Sequence, residues 1–235
     1  MKNDRVLVII PAYNEEGNIE KVVDNLVQNY PQFDYVVVND GSTDNTGNIC
    51  IERGYHMIQL PVNLGLAGGF QTGMKYAYRN GYQYAIQFDA DGQHLPEYIE
   101  AIRQKMKEGY DIVIGSRFVT EKKPVSMRML GSVLISFAIR LTTGKKVKDV
   151  TSGMRMFNRE MINAFANNLN YGPEPDTISY LMKSGAKVAE VQVKMEERMS
   201  GTSYLNAGRA VIYMIRMLIS ILVIQNFRTK GRNKK

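Results

Sequence analysis

Arg5-Val-Leu-Val-Ile-Ile-Pro-Ala-Tyr-Asn-Glu-Glu16 decides the architecture of this chain. A short run of β-branched and aliphatic residues breaks off at a proline and passes directly into a polar turn. Continuous apolar character over so few residues is the mark of a strand covered on both faces. The turn exposes backbone amides and side chains at the sheet edge, and Glu15 or Glu16 can begin a helix. The apolar core, Val6 to Ile10, is too short for the hydrophobic region of a secretory signal, so none is expected.

Outward from this stretch the pattern repeats. Residues 5–11, 35–39, 56–60, 84–88 and 111–115 read as strands, and residues 16–29, 43–53, 67–80 and 96–107 as helices between them. Alternation of this kind predicts an α/β fold: a Rossmann-like, mostly parallel sheet with helices on both faces. Several of the strands end in polar or glycine-rich loops, where open α/β sheets bind their ligands. The 235 residues suffice for one large domain, and no internal repeat or low-complexity linker divides them.

From residue 127 the character changes. Residues 127–141 read as a helix with Arg128, Ser132, Ser136 and Arg140 four apart on an otherwise apolar surface. Residues 204–227 read as a second, with Arg209, Tyr213, Arg216 and Ser220 in a similar stripe. Its apolar stretch is shorter than the roughly 20 residues that cross a bilayer. Each helix alone is explained by packing on the sheet. Two of them, followed by the basic tail 228–235, predict amphipathic helices at a membrane interface or against a small integral membrane protein. The expected organisation is a catalytic domain over 1–203, with 127–142 interfacial, then a helix and tail over 204–235.

The net charge of +7 favours an anionic partner. Nucleic acid is excluded by the lack of zinc-ligand spacing, RNP-like aromatics or a basic heptad region. Cys50 is the one cysteine, which fits a reducing compartment.

Four motifs carry chemistry. Pro11-Ala-Tyr-Asn-Glu-Glu16 and Asn39-Asp-Gly-Ser-Thr-Asp44 follow successive strands and so share one pocket. In the second, Asp40 can accept from a base or ribose, while Ser42 or Thr43 can cap the next helix. Asn63-Leu-Gly-Leu-Ala-Gly-Gly69 resembles a phosphate cradle but lacks the Lys-Ser/Thr of a P-loop and the dinucleotide-binding glycine spacing. Phe88-Asp-Ala-Asp-Gly-Gln-His94 is the strongest. In an extended segment Asp89 and Asp91 point the same way and can face one Mg²⁺ or Mn²⁺, with Gln93 adding a neutral oxygen. An EF-hand is excluded, because Gly92 is misplaced and no glutamate stands at the twelfth position. His94 reads as a supporting or surface histidine rather than a ligand.

In this order and spacing the four motifs resemble the family 2 glycosyltransferases, whose fold is the GT-A nucleotide-diphospho-sugar transferase fold. The similarity covers roughly the first 160 residues. Within the family it is strongest to the polyprenyl-phosphate (dolichyl-phosphate) sugar transferases, through the Asp-Ala-Asp-Gly-Gln-His segment and Gly115-Ser-Arg117. Asp149-Val-Thr-Ser-Gly-Met-Arg-Met-Phe157 and Glu197-Arg-Met-Ser-Gly-Thr-Ser203 add to it. The last departs from the usual pattern in having Tyr204 where lysine is common, and Asn39 stands where many members have a base-contacting aspartate.

The resemblance implies that Pro11, Ala12, Tyr13, Glu15, Asp40, Ser42, Asn63, Gly65, Asp89, Ala90 and Asp91 bind the nucleotide sugar. It implies that Asp89, Asp91 and Gln93 hold the metal, and that Arg117, Arg128, Ser132 and Arg198 bind the acceptor phosphate. Asp89, Asp91, Arg117 and Arg198 are then the expected catalytic set. The activity expected is inverting transfer from a UDP- or GDP-linked sugar to a polyprenyl phosphate, at the cytoplasmic membrane face. A phosphate acceptor is already anionic and needs cations rather than a general base. Two alternatives stand beside it: transfer to a soluble or wall glycan with Asp149 or Glu174 as base, and a non-catalytic sugar-nucleotide-binding adaptor.

Overall fold

The computed structural model describes residues 4–124, 126–169, 171–196 and 207–227. In chain order its strands are β1 (Val6–Ala12), β2 (Asp34–Asn39), β3 (Met57–Gln59), β4 (Tyr84–Gln87), β5 (Ile112–Ser116), β6 (Arg155–Asn158) and β7 (Val188–Gln192). Its helices are α1 (Ile19–Asn29), α2 (Thr46–Glu52), α3 (Gly65–Arg79), α4 (Tyr98–Met106), α5 (Met127–Thr143), α6 (Arg159–Asn167), α7 (Pro175–Lys183) and α8 (Ala207–Leu222). They build one sheet of order β3-β2-β1-β4-β6-β5-β7. Only β6 is antiparallel to its neighbours β4 and β5.

Alternation along β1 explains the layering. Leu7 and Ile9 point into a core with α3, α5, α6, α7 and α8, while Val6, Val8, Ile10 and Ala12 point into a second core with α1, α2 and α4. Strands covered on both faces need apolar residues at every position, which is what residues 6–10 supply. The chain steps from β1 outward to β2 and β3, then back past β1 to β4. That reversal opens a crevice at the carboxyl ends of β1, β2 and β4. Because β6 runs the other way, its first residue, Arg155, lies at the same edge, opposite Gln87 of β4.

The helix starts differ from those read in the sequence. Helix α1 begins at Ile19 rather than near Glu16, and α2 at Thr46 rather than Thr43. Neither Ser42 nor Thr43 caps α2. The Asp44 carboxylate takes that place, accepting from the N–H and hydroxyl of Thr46 at 3.0 and 2.6 Å. Helix α5 is held at both ends, by the Ser126 hydroxyl accepting from Met129 N and by Gly144 in the left-handed conformation.

Candidate active site

Two loops form one wall of the crevice. Asp40 N donates to Ala12 O at 2.8 Å, carrying the β1–β2 pairing one step beyond the strands. Asn14 then turns with a positive φ of 56°. Its side-chain oxygen accepts from Thr43 N at 2.9 Å, and its own N–H donates to the Ser42 hydroxyl at 3.0 Å. Ser42 in turn donates to Asn39 Oδ1 at 2.5 Å, and Asn39 Nδ2 donates to Gln59 at 2.7 Å. Glu15 accepts from Asn18 at 2.7 Å. Ser42 and Asn39 thus build the loop, and this account differs from the expectation of a capping Ser42.

The third loop is drawn in behind them. Buried Asp40 accepts from Leu64 N at 2.8 Å, and Asn63 Oδ1 from Gly65 N at 2.8 Å. A Cβ on Gly41 would lie 2.6 Å from Asn63 N, so the close approach of the two backbones requires glycine there. Pro11, Ala12, Asp40, Asn63 and Gly65 are gathered at this wall, with the Tyr13 ring exposed beside them.

The acidic pair follows β4. Contrary to the extended segment expected, the chain turns at Ala90 and Asp91, with Gly92 at φ 81°. Asp89 is fixed on three sides. Its N–H donates to His94 Nδ1 at 2.9 Å, its Oδ1 accepts from Gln87 Nε2 at 3.2 Å, and His94 Nε2 lies 3.5 Å from Oδ2. Gly153 packs so closely that a Cβ there would stand 2.6 Å from Asp89 Oδ2. Asp91 accepts from Gln93 N at 3.1 Å. Both aspartates keep partial exposure, and Ala90 between them is buried. Gln93 holds residue 196 through Gln93 O, which accepts from Glu196 N at 3.0 Å, and through its side chain, which donates to Glu196 O at 3.4 Å.

Among the described residues no group of three or more His, Cys, Asp or Glu makes a protein-only metal cage. Two carboxylates at a crevice edge still fit Mg²⁺ or Mn²⁺, which complete their shells with substrate phosphates and water. The fit also rests on the side-chain-free space at Gly153 that receives the Asp89 carboxylate.

Arg117, just past β5, pairs with Asp149 through Nε and Nη2 at 2.8 and 2.9 Å. The Asp149 carboxylate is wholly buried. Burial pushes it upward, but the hydrogen bonds and charge of Arg117 prevail and hold it below the usual carboxylate range. Both Asp149 oxygens are taken up by Arg117, out of contact with solvent. A cavity of about 490 Å³ opens beside Arg117, lined by Phe118, Lys122, Met129, Lys194 and Glu196 among others. At its flank Lys123, which the sequence reading missed, donates to buried Ser132 at 2.9 Å. Burial lowers the Lys123 pKa. No sequence pattern marks that lysine, since it lies in a loop. Arg198 and the side chains of Arg128 and Arg209 lie outside the described residues, as does the basic tail.

Helices α5 and α8 pack closely, with a Cβ on Gly131 overlapping Met214. Their stripes differ from a solvent-facing polar face. Ser132 and Ser220 are buried, and Ser220 donates to Asp176 Oδ2 at 2.6 Å. What faces outward is apolar: Leu130, Leu134, Phe137 (62%) and Leu141 on α5, with Ile212 (68%), Ile215 and Ile219 on α8. Among the described stripe members, only Arg140 and Arg216 are exposed. No helix among the described residues is long and apolar enough to cross a membrane.

A mixed seven-stranded sheet with a nucleotide-type crevice and an acidic turn after its central strand defines the GT-A class of transferases. The model of the family described as "Glycosyl transferase family 2" matches residues 7–165, and the chain belongs to that family. It is 31% identical to the UDP-N-acetylglucosamine–dolichyl-phosphate N-acetylglucosaminyltransferase of Methanococcus voltae, over 93% of this chain and 97% of the relative. It is 30% identical to the polyprenol monophosphomannose synthase of Mycolicibacterium smegmatis, over 87% of this chain and 82% of that one. The fold matches the glucosyl-3-phosphoglycerate synthase of Mycobacterium tuberculosis, crystallised with Mn²⁺, uridine diphosphate and phosphoglyceric acid. That match has a TM-score of 0.68 at 19% identity, over 97% of this chain and 80% of the other.

Proposed function

We propose that this protein transfers a sugar from a UDP- or GDP-linked donor to a polyprenyl phosphate, with inversion at the anomeric carbon. The observation that carries the reading is an exposed two-helix apolar face on the same molecule as an acidic crevice. An apolar surface of that kind suits an enzyme whose acceptor lies in a membrane. The names of the 30–31% identical relatives, which act on polyprenyl and dolichyl phosphates, support it.

In this reading Pro11, Ala12, Tyr13, Glu15, Asp40, Asn63 and Gly65 hold the nucleoside side of the donor. Asp89 and Asp91, with Gln93, hold Mg²⁺ or Mn²⁺, which neutralises charge on the departing diphosphate. The acceptor phosphate enters the cavity beside Arg117, with Arg117, Arg128, Ser132 and Arg198 as the residues assigned to it by the family resemblance; Arg117 Nη1 makes no hydrogen bond among the described residues. One phosphate oxygen forms a bond to the anomeric carbon as the bond to the nucleoside diphosphate breaks. Attack from the face opposite the leaving group inverts that centre. Helices α5 and α8 lie on the anionic cytoplasmic leaflet, alone or against a small membrane protein.

A second reading, transfer to a glycan hydroxyl, has Glu174 as base. Burial, then Asp176, raise the Glu174 pKa, while Arg216 and Arg155 oppose them. A raised carboxyl is what general-base work near neutrality asks for. The test is a screen of UDP- and GDP-sugars with a short polyprenyl phosphate or a glycan acceptor, with and without Mn²⁺, detecting products by mass. A sugar-phosphate lipid formed only with the cation is the expected result. Turnover on the glycan alone selects the second reading, and donor binding without any turnover selects the adaptor.

A further inference from the structure

Gln87 is the one polar side chain of β4 apart from a tyrosine hydroxyl, and at 2% exposure it is out of reach of solvent. A glutamine in a strand buried on both faces incurs desolvation that valine would not. What it does there is visible from its neighbours. Its Nε2 donates to Asp89 Oδ1 at 3.2 Å, on the side of the carboxylate away from His94 Nε2, which approaches Oδ2. The opposite amide orientation would set Gln87 Oε1 against a carboxylate oxygen, so this hydrogen bond fixes the amide as well as the aspartate.

Opposite Gln87 in the β4–β6 register stands Arg155, also 2% exposed. Its Nη2 donates to Val150 O at 2.6 Å, but among the described residues its Nε and Nη1 have no hydrogen-bond partner, and neither has Gln87 Oε1. Buried polar atoms are nearly always paired, so three of them on one cross-strand pair beneath Asp89 mark a place where packing has yielded to something else.

We propose that Gln87 is a positioning residue of the cation site: its amide sets the rotamer of Asp89 and thereby the affinity for the divalent ion. The inference rests on the reading of Asp89 and Asp91 as cation ligands. Removing a group that hydrogen-bonds a metal-ligating side chain typically lowers metal affinity about 10- to 100-fold. Arg155 supplies the means of testing this without unfolding the strand. In Gln87→Glu the new carboxylate stands opposite the Arg155 guanidinium in the strand register, whose charge offsets the cost of burying it, and the donor to Asp89 is withdrawn. Gln87→Met removes donor and acceptor while keeping the side chain's length.

Mn²⁺ binding to the full chain is measured by electron paramagnetic resonance with uridine diphosphate present, alongside thermal unfolding and nucleotide binding in metal-free buffer. Gln87→Glu and Gln87→Met are expected to weaken Mn²⁺ binding roughly 10- to 100-fold. Metal-free nucleotide affinity stays at the wild-type value, and turnover recovers at saturating Mn²⁺. Wild-type Mn²⁺ affinity in Gln87→Glu overturns the proposal, whether or not the methionine variant folds. If the wild-type chain itself binds no Mn²⁺, the cation site falls first and this role with it.

Discussion

Arg117 and Asp149 form a two-point pair: Nε is 2.8 Å from Oδ2, Nη2 is 2.9 Å from Oδ1, and the arginine's own N–H adds a third donor at 3.1 Å. The pair ties the end of β5 to the loop that carries Gly153 and leads into Arg155, the first residue of β6. Breaking a buried pair from one side leaves an uncompensated charge. Asp149→Asn is therefore expected to cost about 3 kcal/mol in a denaturant titration, the low end for such pairs because Arg117 is partly exposed. Transfer falls with it. Unchanged stability shows that the pair is not what holds the two loops together.

The same carboxylate gives a pH dependence of defined sign. Its folded pKa lies below the unfolded value of about 3.9, so its contribution is complete above that pH and disappears as pH falls through the depressed folded value. Wild-type unfolding followed from pH 6 down to pH 2 should lose stability in the acid limb. In Asp149→Asn that limb should be shallower. Identical acid limbs remove the assignment.

Two glycines separate site geometry from stability. A Cβ on Gly153 meets Asp89 Oδ2 at 2.6 Å and His94 Cε1 at 3.1 Å, whereas one on Gly73 meets Ile9 Cγ2 at 2.2 Å in the core. Gly153→Ala should weaken Mn²⁺ binding about tenfold with little change in melting. Gly73→Ala should cost roughly 1–3 kcal/mol as an overpacked contact and leave metal affinity alone. Calorimetry on both variants checks the contrast, and equal effects on both quantities refute it.

Phe137 and Ile212 protrude from α5 and α8 with 62% and 68% of their surface exposed. Phe137→Asp and Ile212→Asp consequently leave the melting temperature close to wild type. Each removes an apolar side chain whose burial in a bilayer is worth about 1.5–3 kcal/mol, so vesicle affinity should fall at least about tenfold per substitution. Cosedimentation with neutral and anionic vesicles measures it and shows what anionic lipid adds. Undiminished pelleting of the double variant excludes this face as the docking surface.

What the sequence made legible was local. Five apolar runs ending at polar turns located β1 to β5, because a strand covered on both faces needs no distant partner to be recognised. Strands β6 and β7 were not among those read: Arg155-Met-Phe-Asn158 begins with a charge, and its placement between β4 and β5 depends on pairing with residues about 40 and 70 positions earlier. The stripe on α5 was correctly spaced, yet helical period does not say which side meets solvent. Its inward turn follows from Lys123 reaching Ser132, and that of α8 from Asp176 receiving Ser220. The family resemblance assigned Arg117 to the acceptor phosphate, but its pairing with Asp149, 32 residues away, was not read, and Asp149 was read only as a possible base. Gln87 did leave a signal, a lone amide in an apolar run.

Arg198 lies outside the described residues, but the chain that leads to it is anchored. Met195 bridges His94, and Glu196 exchanges two hydrogen bonds with Gln93, so the backbone two residues before Arg198 is fixed to the acidic turn. On the proposed reading Arg198 serves the acceptor phosphate, while the nucleoside belongs to the β1 and β2 loops, which lie on the other side of β4 from β6, β5 and β7. Arg198→Ala should lower transfer to the lipid phosphate by about 100-fold, the scale of losing one charged donor at a reacting anion. Uridine diphosphate affinity should change less than about threefold, since a distant contact is worth at most a few tenths of a kcal/mol to it. Arg198→Lys keeps the charge without the planar fork and should recover part of the rate. Single-turnover transfer and nucleotide titration on both variants decide the matter: parallel losses in rate and nucleotide affinity put Arg198 in the donor site instead.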